Sequence, residues 1–300
     1  MSSLFAKKRK RAVPSGSDEA ASDGAAAATS QSSSSSTSSS SSSSSSNTSS
    51  RIVTAPKSSS SSSITSTFLS LGISAPLVKT LTALSIKIPS AIQRASIPAI
   101  LRGSHIIAIG STGSGKTAAF ALPILERLSP DPYGIFAVVL SPTRELASQI
   151  NDQFVLFGSS VSLSTLLVVG GADMVSQACA LGRRPHVVVA TPGRLMDHLR
   201  GPTPPPLSAL RFLVLDEADR LLSVNSGFRA DVAGIVTAAN KGKGGGQGCC
   251  QTLLFSATMA HDLDDVVARV GGGGRGGGGK FEKIVVEDGK GDDTLLFCLE

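Results

Sequence analysis

The stretch that most limits how this chain can fold runs from His105 to Leu128, HIIAIGSTGSGKTAAFALPILERL. A short apolar run, Ile106 to Ile109, feeds directly into Gly110–Thr117, and a segment with helical apolar spacing follows. Gly110, Gly115, Lys116 and Thr117 satisfy the G-x-x-x-x-G-K-[ST] phosphate-loop pattern in the context that gives it meaning: a strand before and a helix after. Glycine lets the backbone curl close to a polyphosphate. Successive N–H groups across Ser111, Thr112, Gly113, Ser114 and Gly115 can then point at its oxygens. A helix opening at Lys116 adds the positive end of its dipole. The Lys116 ammonium can reach the β- and γ-phosphates, and the Thr117 hydroxyl can hold Mg²⁺.

Beyond the loop, short runs rich in Val, Ile, Leu and Phe recur at Ile135–Leu140, Leu166–Val169, Val187–Ala190, Phe212–Leu215, Thr252–Phe255 and Ile284–Val286. Such runs suit strands buried on both faces. Their alternation with helical segments predicts an α/β fold with a parallel, doubly wound sheet. Ligands of such sheets sit beyond the carboxyl ends of the strands. The polar motifs fall there one after another: Ser111–Thr117, Pro142–Ala147, Gly170–Gly171, Thr191–Arg194, Asp216–Asp219 and Ser256–Thr258. Upstream, Thr67–Leu84 has helix-like spacing interrupted at Gly72 and Pro76, and Ala91–Leu101 reads as a helix with a kink expected at Pro98.

Residues 1–63 belong to no such fold. They are mostly Ser, Ala and Thr, with an almost pure Ser tract from Ser32 to Ser46. So little apolar surface cannot offset ordering entropy, and we expect a disordered tail. The tail carries seven Lys and Arg against three Asp and Glu, which is most of the net charge of +6. The cluster Lys7-Lys8-Arg9-Lys10-Arg11 suits nuclear import or weak nucleic-acid contact. No apolar core follows it, so it is not a secretory signal. The four cysteines have no metal-site spacing, which points to reduced thiols inside a cell. No apolar run approaches membrane-spanning length, and no membrane partner is expected. Lys241–Gly248 and Gly271–Gly279 read as flexible Gly-rich linkers.

The run Phe212–Leu215 ends in two carboxylates, Asp216 and Glu217. A phosphate loop needs such a partner. Asp216 can hold Mg²⁺ bridging the β- and γ-phosphates, and Glu217 is placed to orient or deprotonate an attacking water. Together with the loop they point to hydrolysis of a nucleoside triphosphate.

Asp216-Glu217-Ala218-Asp219 also spells the motif that names the DEAD-box RNA helicases. The rest of that family's first-domain pattern stands in order: Ser141-Pro142-Thr143-Arg144-Glu145-Leu146-Ala147, Gly170-Gly171, Thr191-Pro192-Gly193-Arg194 and Ser256-Ala257-Thr258. Pro89 and Gln93, with Phe68 well upstream, resemble the family's Q motif. The resemblance covers Thr67 to Met259 and implies a RecA-like P-loop domain over residues 64–289, with ATP and Mg²⁺ as cofactors and RNA as partner. It implies that Gln93 reads the adenine edge and Phe68 packs near the base. It implies an RNA groove lined by Pro142, Thr143, Arg144, Gly170, Gly171, Thr191, Pro192, Gly193 and Arg194. Hydroxyls, guanidinium groups and exposed backbone N–H groups bind phosphate, so that set agrees with its residue chemistry. The scarcity of aromatics argues against a base-stacking platform. Ser256 and Thr258 would couple the two sites by hydrogen bonds; their other reading is a cap on the following helix.

Within the family, DPYGIFAVVLSPTRELA, VVGGADMVSQA and RPHVVVATPGRLMDHLR look most like nucleolar members that act in small-subunit ribosome assembly. That implies pre-rRNA as the RNA, a nuclear and nucleolar location, and a monomer. The family's catalytic unit has a second RecA-like domain supplying an arginine finger. Residues 290–300 give no sign of one, so we expect residues 1–300 alone to bind ATP·Mg²⁺ weakly, to hydrolyse it slowly and not to unwind duplex. The expectation is therefore an ATP-dependent RNA helicase, against the alternative of a non-catalytic ATP- and RNA-binding module that regulates a full-length relative.

Overall fold

The computed structural model describes residues 67–223, 226–241, 250–258, 281–287 and 294–299. The basic cluster, the Ser-rich tail and most of both Gly-rich stretches lie outside them. Thr67–Gly72 forms turns rather than the expected start of a helix, because Gly72 takes φ +94°. Helix α1 (Ala75–Ala83) begins only afterwards, with Pro76 in its first turn and the Ser74 N–H donating to the Glu126 carboxylate at 2.8 Å. Helix α2 (Ala91–Arg102) runs through Pro98 unbroken and stops at Gly103, whose φ of 94° ends it.

Strand β1 (His105–Ile109) and helix α3 (Lys116–Leu128) flank the phosphate loop as expected. They are followed by β2 (Ala137–Leu140), α4 (Arg144–Phe157), β3 (Thr165–Val168), α5 (Met174–Gly182), β4 (Val187–Ala190), α6 (Pro192–Arg200) and β5 (Phe212–Leu215). The described chain is completed by α7 (Ala218–Leu222), α8 (Arg229–Asn240), β6 (Gln251–Ser256), β7 (Phe281–Glu287) and β8 (Thr294–Leu299). Every expected strand is present, within a few residues of its reading. β8 was not read from the sequence.

All eight strands form one sheet in the order β3-β4-β2-β5-β6-β1-β7-β8. Every pairing from β3 across to β7 is parallel, and β8 adds an antiparallel edge to β7. Successive strand residues point to opposite faces, so each apolar run feeds two cores. Val139, Val189, Val214 and Phe255 pack with α2, α3 and α4 on one face; Val138, Val188, Leu213 and Leu254 pack with α6, α7 and α8 on the other. This two-sided burial explains why β2, β4 and β5 are apolar at every position. Among the described residues, no helix is long and apolar enough to cross a membrane.

The registers place the strand ends level. Leu140 of β2 pairs with Ala190 of β4 and Leu215 of β5, Val168 of β3 pairs with Ala190, and Ile109 of β1 pairs with Ser256 of β6. The loops that follow leave from one edge of the sheet, and the motifs are in those loops.

Candidate nucleotide and nucleic-acid site

The phosphate loop is held from within and from behind. Gly113 and Gly115 take φ +87° and +91°, conformations that a side chain would strain. Lys116 folds back into the loop, its Nζ donating to the Gly110 carbonyl at 2.8 Å and the Ser111 carbonyl at 2.9 Å. Ser114 Oγ donates to the same Ser111 carbonyl at 2.8 Å. From behind, Ser90 Oγ donates to the Ser114 carbonyl at 2.7 Å and Gln93 Nε2 to the Gly115 carbonyl at 3.1 Å, while Gln93 Oε1 accepts the Ser90 N–H at 3.0 Å. Gln93 is 5% exposed, so most of its amide is engaged with the loop and its own helix start.

A cavity of about 720 Å³ opens in front of the loop. Thr112 to Thr117 line it, with Ser90, Gln93, Asp216, Glu217 and Ala257. Lys116 and Asp216 therefore share one cavity, and the Lys116 charge acts on Asp216. Burial pushes the Asp216 carboxyl up to about 6 against the pull of Lys116 and the Glu217 N–H. Glu217 sits in the left-handed region at φ 49°, a position that costs a non-glycine residue about 1 kcal/mol or more. Its Oε2 accepts from Arg220 Nη1 at 3.1 Å.

The far wall of the cavity was not read from the sequence. Leu84, Ile86 and Ile88 line it, together with Leu146, Gln149, Gln153, Leu156 and Phe157 of α4, so that part of the lining is largely apolar. The sequence signal was there in the alternation of Ile86 and Ile88 ahead of Pro89, in a stretch with no helical period. Phe68 is not part of this lining. It is 1% exposed and belongs to the core on the α2, α3 and α4 face of the sheet.

Ser256 and Thr258 close the arrangement beside Asp219. Ser256 Oγ donates to the Thr258 carbonyl at 2.7 Å, and Thr258 Oγ1 donates to Asp219 Oδ2 at 2.7 Å. Burial alone would raise the Asp219 carboxyl, but hydrogen bonds from Thr258, Ser256 and neighbouring N–H groups hold it below its ordinary value.

A second cavity, about 560 Å³, opens at the same edge over β2, β3 and β4. Pro142, Thr143, Arg144, Gly170, Thr191, Gly193 and Arg194 line it, as the sequence grouped them. Thr143 also caps α4, its Oγ1 accepting the Leu146 N–H at 3.3 Å. Gly171 and Pro192 are not in the lining. Pro192 is buried in the first turn of α6. Gly171, at φ +88°, makes room for a neighbour: a Cβ there would come within 2.6 Å of Arg144 Nη1. Glu145, Asp197 and Phe228 join the lining unannounced. Phe228 adds one aromatic ring to a set read as phosphate-binding rather than base-stacking. A third cavity, about 760 Å³, lies at the opposite edge, among Gly103, Phe136, Phe212 and Gln251 at the amino ends of the strands, and contains none of the motif residues.

Comparison with known proteins agrees with this arrangement. Residues 90–266 match the family described as DEAD/DEAH box helicase. The chain is 50% identical over 200 residues to the probable ATP-dependent RNA helicase DDX49 of Homo sapiens, covering 66% of this chain and 40% of that protein. It is 48% identical over 202 residues to the ATP-dependent rRNA helicase RRP3 of Pyricularia oryzae, covering 67% and 36%. Against the ATP-dependent RNA helicase dbp8 of Schizosaccharomyces pombe it is 50% identical over 196 residues, covering 64% and 42%. The matched region thus spans less than half the length of each of these relatives. Among solved structures, a DEAD box protein from the hyperthermophile Methanococcus jannaschii superposes with a TM-score of 0.63 at 34% identity, over 73% of this chain and 55% of that one. Mss116p bound to single-stranded RNA and AMP-PNP superposes with a TM-score of 0.63 at 31% identity, over 69% and 44%. From the ordered motifs, the parallel sheet that gathers them at one edge, and these matches, the chain belongs to the DEAD/DEAH box helicase family.

Proposed function

We propose that this chain supplies the nucleotide-binding domain of an ATP-dependent RNA helicase that acts on pre-ribosomal RNA in the nucleolus. The observation that carries the reading is the shared cavity, in which Lys116, Thr117, Asp216, Glu217 and Gln93 meet. The names of the similar RRP3 and dbp8 proteins support the RNA substrate, and the former supports ribosomal RNA.

The residues present fit a magnesium ion. Asp216 is 7% exposed with its carboxyl pushed up to about 6, a buried acid whose ionised form a divalent cation would stabilise. Asp216 and the Thr117 hydroxyl would hold the ion, which when bound offsets negative charge on the phosphates.

The chain's own groups do the rest. The loop N–H groups and Lys116 would bind the β- and γ-phosphates, with Lys116 exchanging two carbonyl oxygens for phosphate oxygens. The apolar wall of Leu84, Ile86 and Leu156 would exclude water from the base, with Gln93 beside it. Glu217 would orient a water for in-line attack on the γ-phosphorus and accept its proton, the bond to the β-phosphate oxygen breaking. The second cavity would hold the sugar–phosphate backbone of one RNA strand, and the Ser256–Thr258–Asp219 chain lies beside the acidic motif to carry a signal between the two.

The test is equilibrium binding of a fluorescent ATP analogue with Mg²⁺ to this chain and to Lys116→Ala. Loss of one charge-assisted phosphate contact should weaken binding about tenfold or more. Equal affinity for the two proteins would remove the assignment.

A further inference from the structure

Gln177 stands in none of the motifs, yet it is buried at 6% exposure and makes more than one specific contact. It projects from α5. Its Nε2 donates to the Val169 carbonyl at 2.9 Å. A carbonyl can only accept, so the orientation of the amide is settled and Oε1 must face the other way. There it meets His198 Nε2 at 3.1 Å and Arg194 Nη1 at 3.5 Å. His198 is itself 4% exposed and must present Nε2–H to that oxygen. Arg194 Nη1 also donates to the Ala172 carbonyl at 2.8 Å.

One amide therefore ties together the end of β3, helix α5 and two residues one turn apart on α6. In the same loop, the Arg144 guanidinium lies close to Gly170 and Gly171. The segment from Val169 to Ala172 is thus approached by two guanidinium groups, and both of them line the 560 Å³ cavity. An apolar side chain would fill the space under α5 without the desolvation that a buried amide incurs. The amide instead supplies direction, because an arginine held through two acceptors keeps few of its rotamers.

We propose that Gln177, supported by His198, is a positioning residue for the RNA groove, fixing the Val169–Ala172 loop and the Arg194 guanidinium so that they meet one sugar–phosphate backbone together. This rests on the reading of that cavity as the RNA site. Gln177 touches no ligand; it acts through Arg194 and the loop.

The test uses the whole chain with a fluorescein-labelled ten-nucleotide oligouridylate, a fluorescent ATP analogue and thermal melting. Gln177→Met keeps the volume and removes both polar ends. It should weaken RNA binding about tenfold and lower the salt dependence by about one phosphate contact, with ATP affinity within twofold. His198→Gln keeps an N–H for Oε1 and should bind RNA within about twofold of wild type, whereas His198→Leu should behave like Gln177→Met. That split between two buried substitutions is one that a packing role would not produce. Unchanged RNA affinity in Gln177→Met would overturn the proposal, as would RNA and ATP affinity falling together with the melting temperature. Arg194→Ala separates the two levels. If it too leaves RNA binding unchanged, the groove is not the RNA site; if it weakens binding while Gln177→Met does not, only the positioning role fails.

Discussion

Thr258 donates its hydroxyl proton to Asp219 across 2.7 Å, joining the strand that ends in Ser256 to the helix that begins after Glu217. With Ser256 and nearby N–H groups it outweighs burial and keeps the Asp219 carboxyl below its ordinary value. A depressed carboxyl contributes stability above its unfolded value, and that contribution is lost as pH falls through the folded value. Thr258→Val should cost about 1 kcal/mol at pH 7, since the pair is partly solvated, and the deficit should shrink in acid. Thr258 does not line the nucleotide cavity, so affinity for the ATP analogue should stay within twofold. Chemical denaturation at pH 7 and pH 3.5 checks the first part. Equal stability of variant and wild type at pH 7 would contradict it.

Gly171→Ala should disturb RNA binding although Gly171 itself does not line the cavity, because it displaces Arg144, which does. The added methyl meets the Arg144 guanidinium at 2.6 Å and the backbone holds φ +88°. Arg144 must move, and the loop must accept strain of about 1 kcal/mol or more. We expect oligouridylate affinity to fall about fivefold or more, with ATP affinity unchanged. Unaltered RNA affinity would show that Arg144 needs no fixed place.

Acid should destabilise the fold through its histidines. His105 Nδ1 accepts the Thr252 N–H at 3.0 Å and His186 Nδ1 accepts the Ser164 N–H at 3.1 Å, bonds that protonation at that nitrogen abolishes. Burial lowers both rings, and burial followed by the Arg194 charge lowers His198, with Asp197 opposing. Groups lowered in the fold bind protons more readily when unfolded, so stability falls as pH drops below the unfolded value near 6.5. Asp216, raised by burial to about 6, takes up its proton in the fold over the same range and opposes the loss in wild type and variant alike. The change in melting temperature between pH 7.5 and 5.5 should therefore be compared between them, and His105→Asn, which keeps an acceptor that cannot titrate, should show the smaller drop. An identical drop in the variant would remove His105 from the account.

Ser85 sits at φ 63° in the turn after α1 and is exposed. Glycine takes that conformation without the steric cost that a Cβ brings. Ser85→Gly should raise stability by about 0.5–1 kcal/mol, read as a higher melting temperature, with ATP affinity unaffected. A lower melting temperature would mean that the unfolded chain's added freedom outweighs the relief.

The strands legible to the residue were those buried on both faces and bounded by polar loops. Val187–Ala190 and Phe212–Leu215 match their elements at both ends. β7 is longer than its apolar run because Glu282 and Lys283 are only partly buried yet pair with β1, and the Glu282 carboxylate accepts from Arg102. β8 was missed because a lone apolar run announces neither its partner nor its direction; both came from its pairing with β7. Thr67–Leu84 looked helical because Phe68, Leu71, Leu77 and Leu81 are buried or packed against one core, and a positive φ at Gly72 leaves that pattern intact while ending the helix. The phosphate loop was legible because its chemistry is local. Gln177 was not, because its three partners come from the loops after β3 and from α6, which only the folded sheet brings together.

The resting loop carries its own counterweight. With Lys116 Nζ seated on the Gly110 and Ser111 carbonyls, the ammonium is already solvated by the chain's own backbone. A phosphate that draws the ammonium outward leaves those two carbonyls to find other donors, so part of its attraction for Lys116 is offset by the bonds it breaks. Binding strength at this loop is therefore a difference between two sets of oxygens around one ammonium, those of the chain and those of the guest.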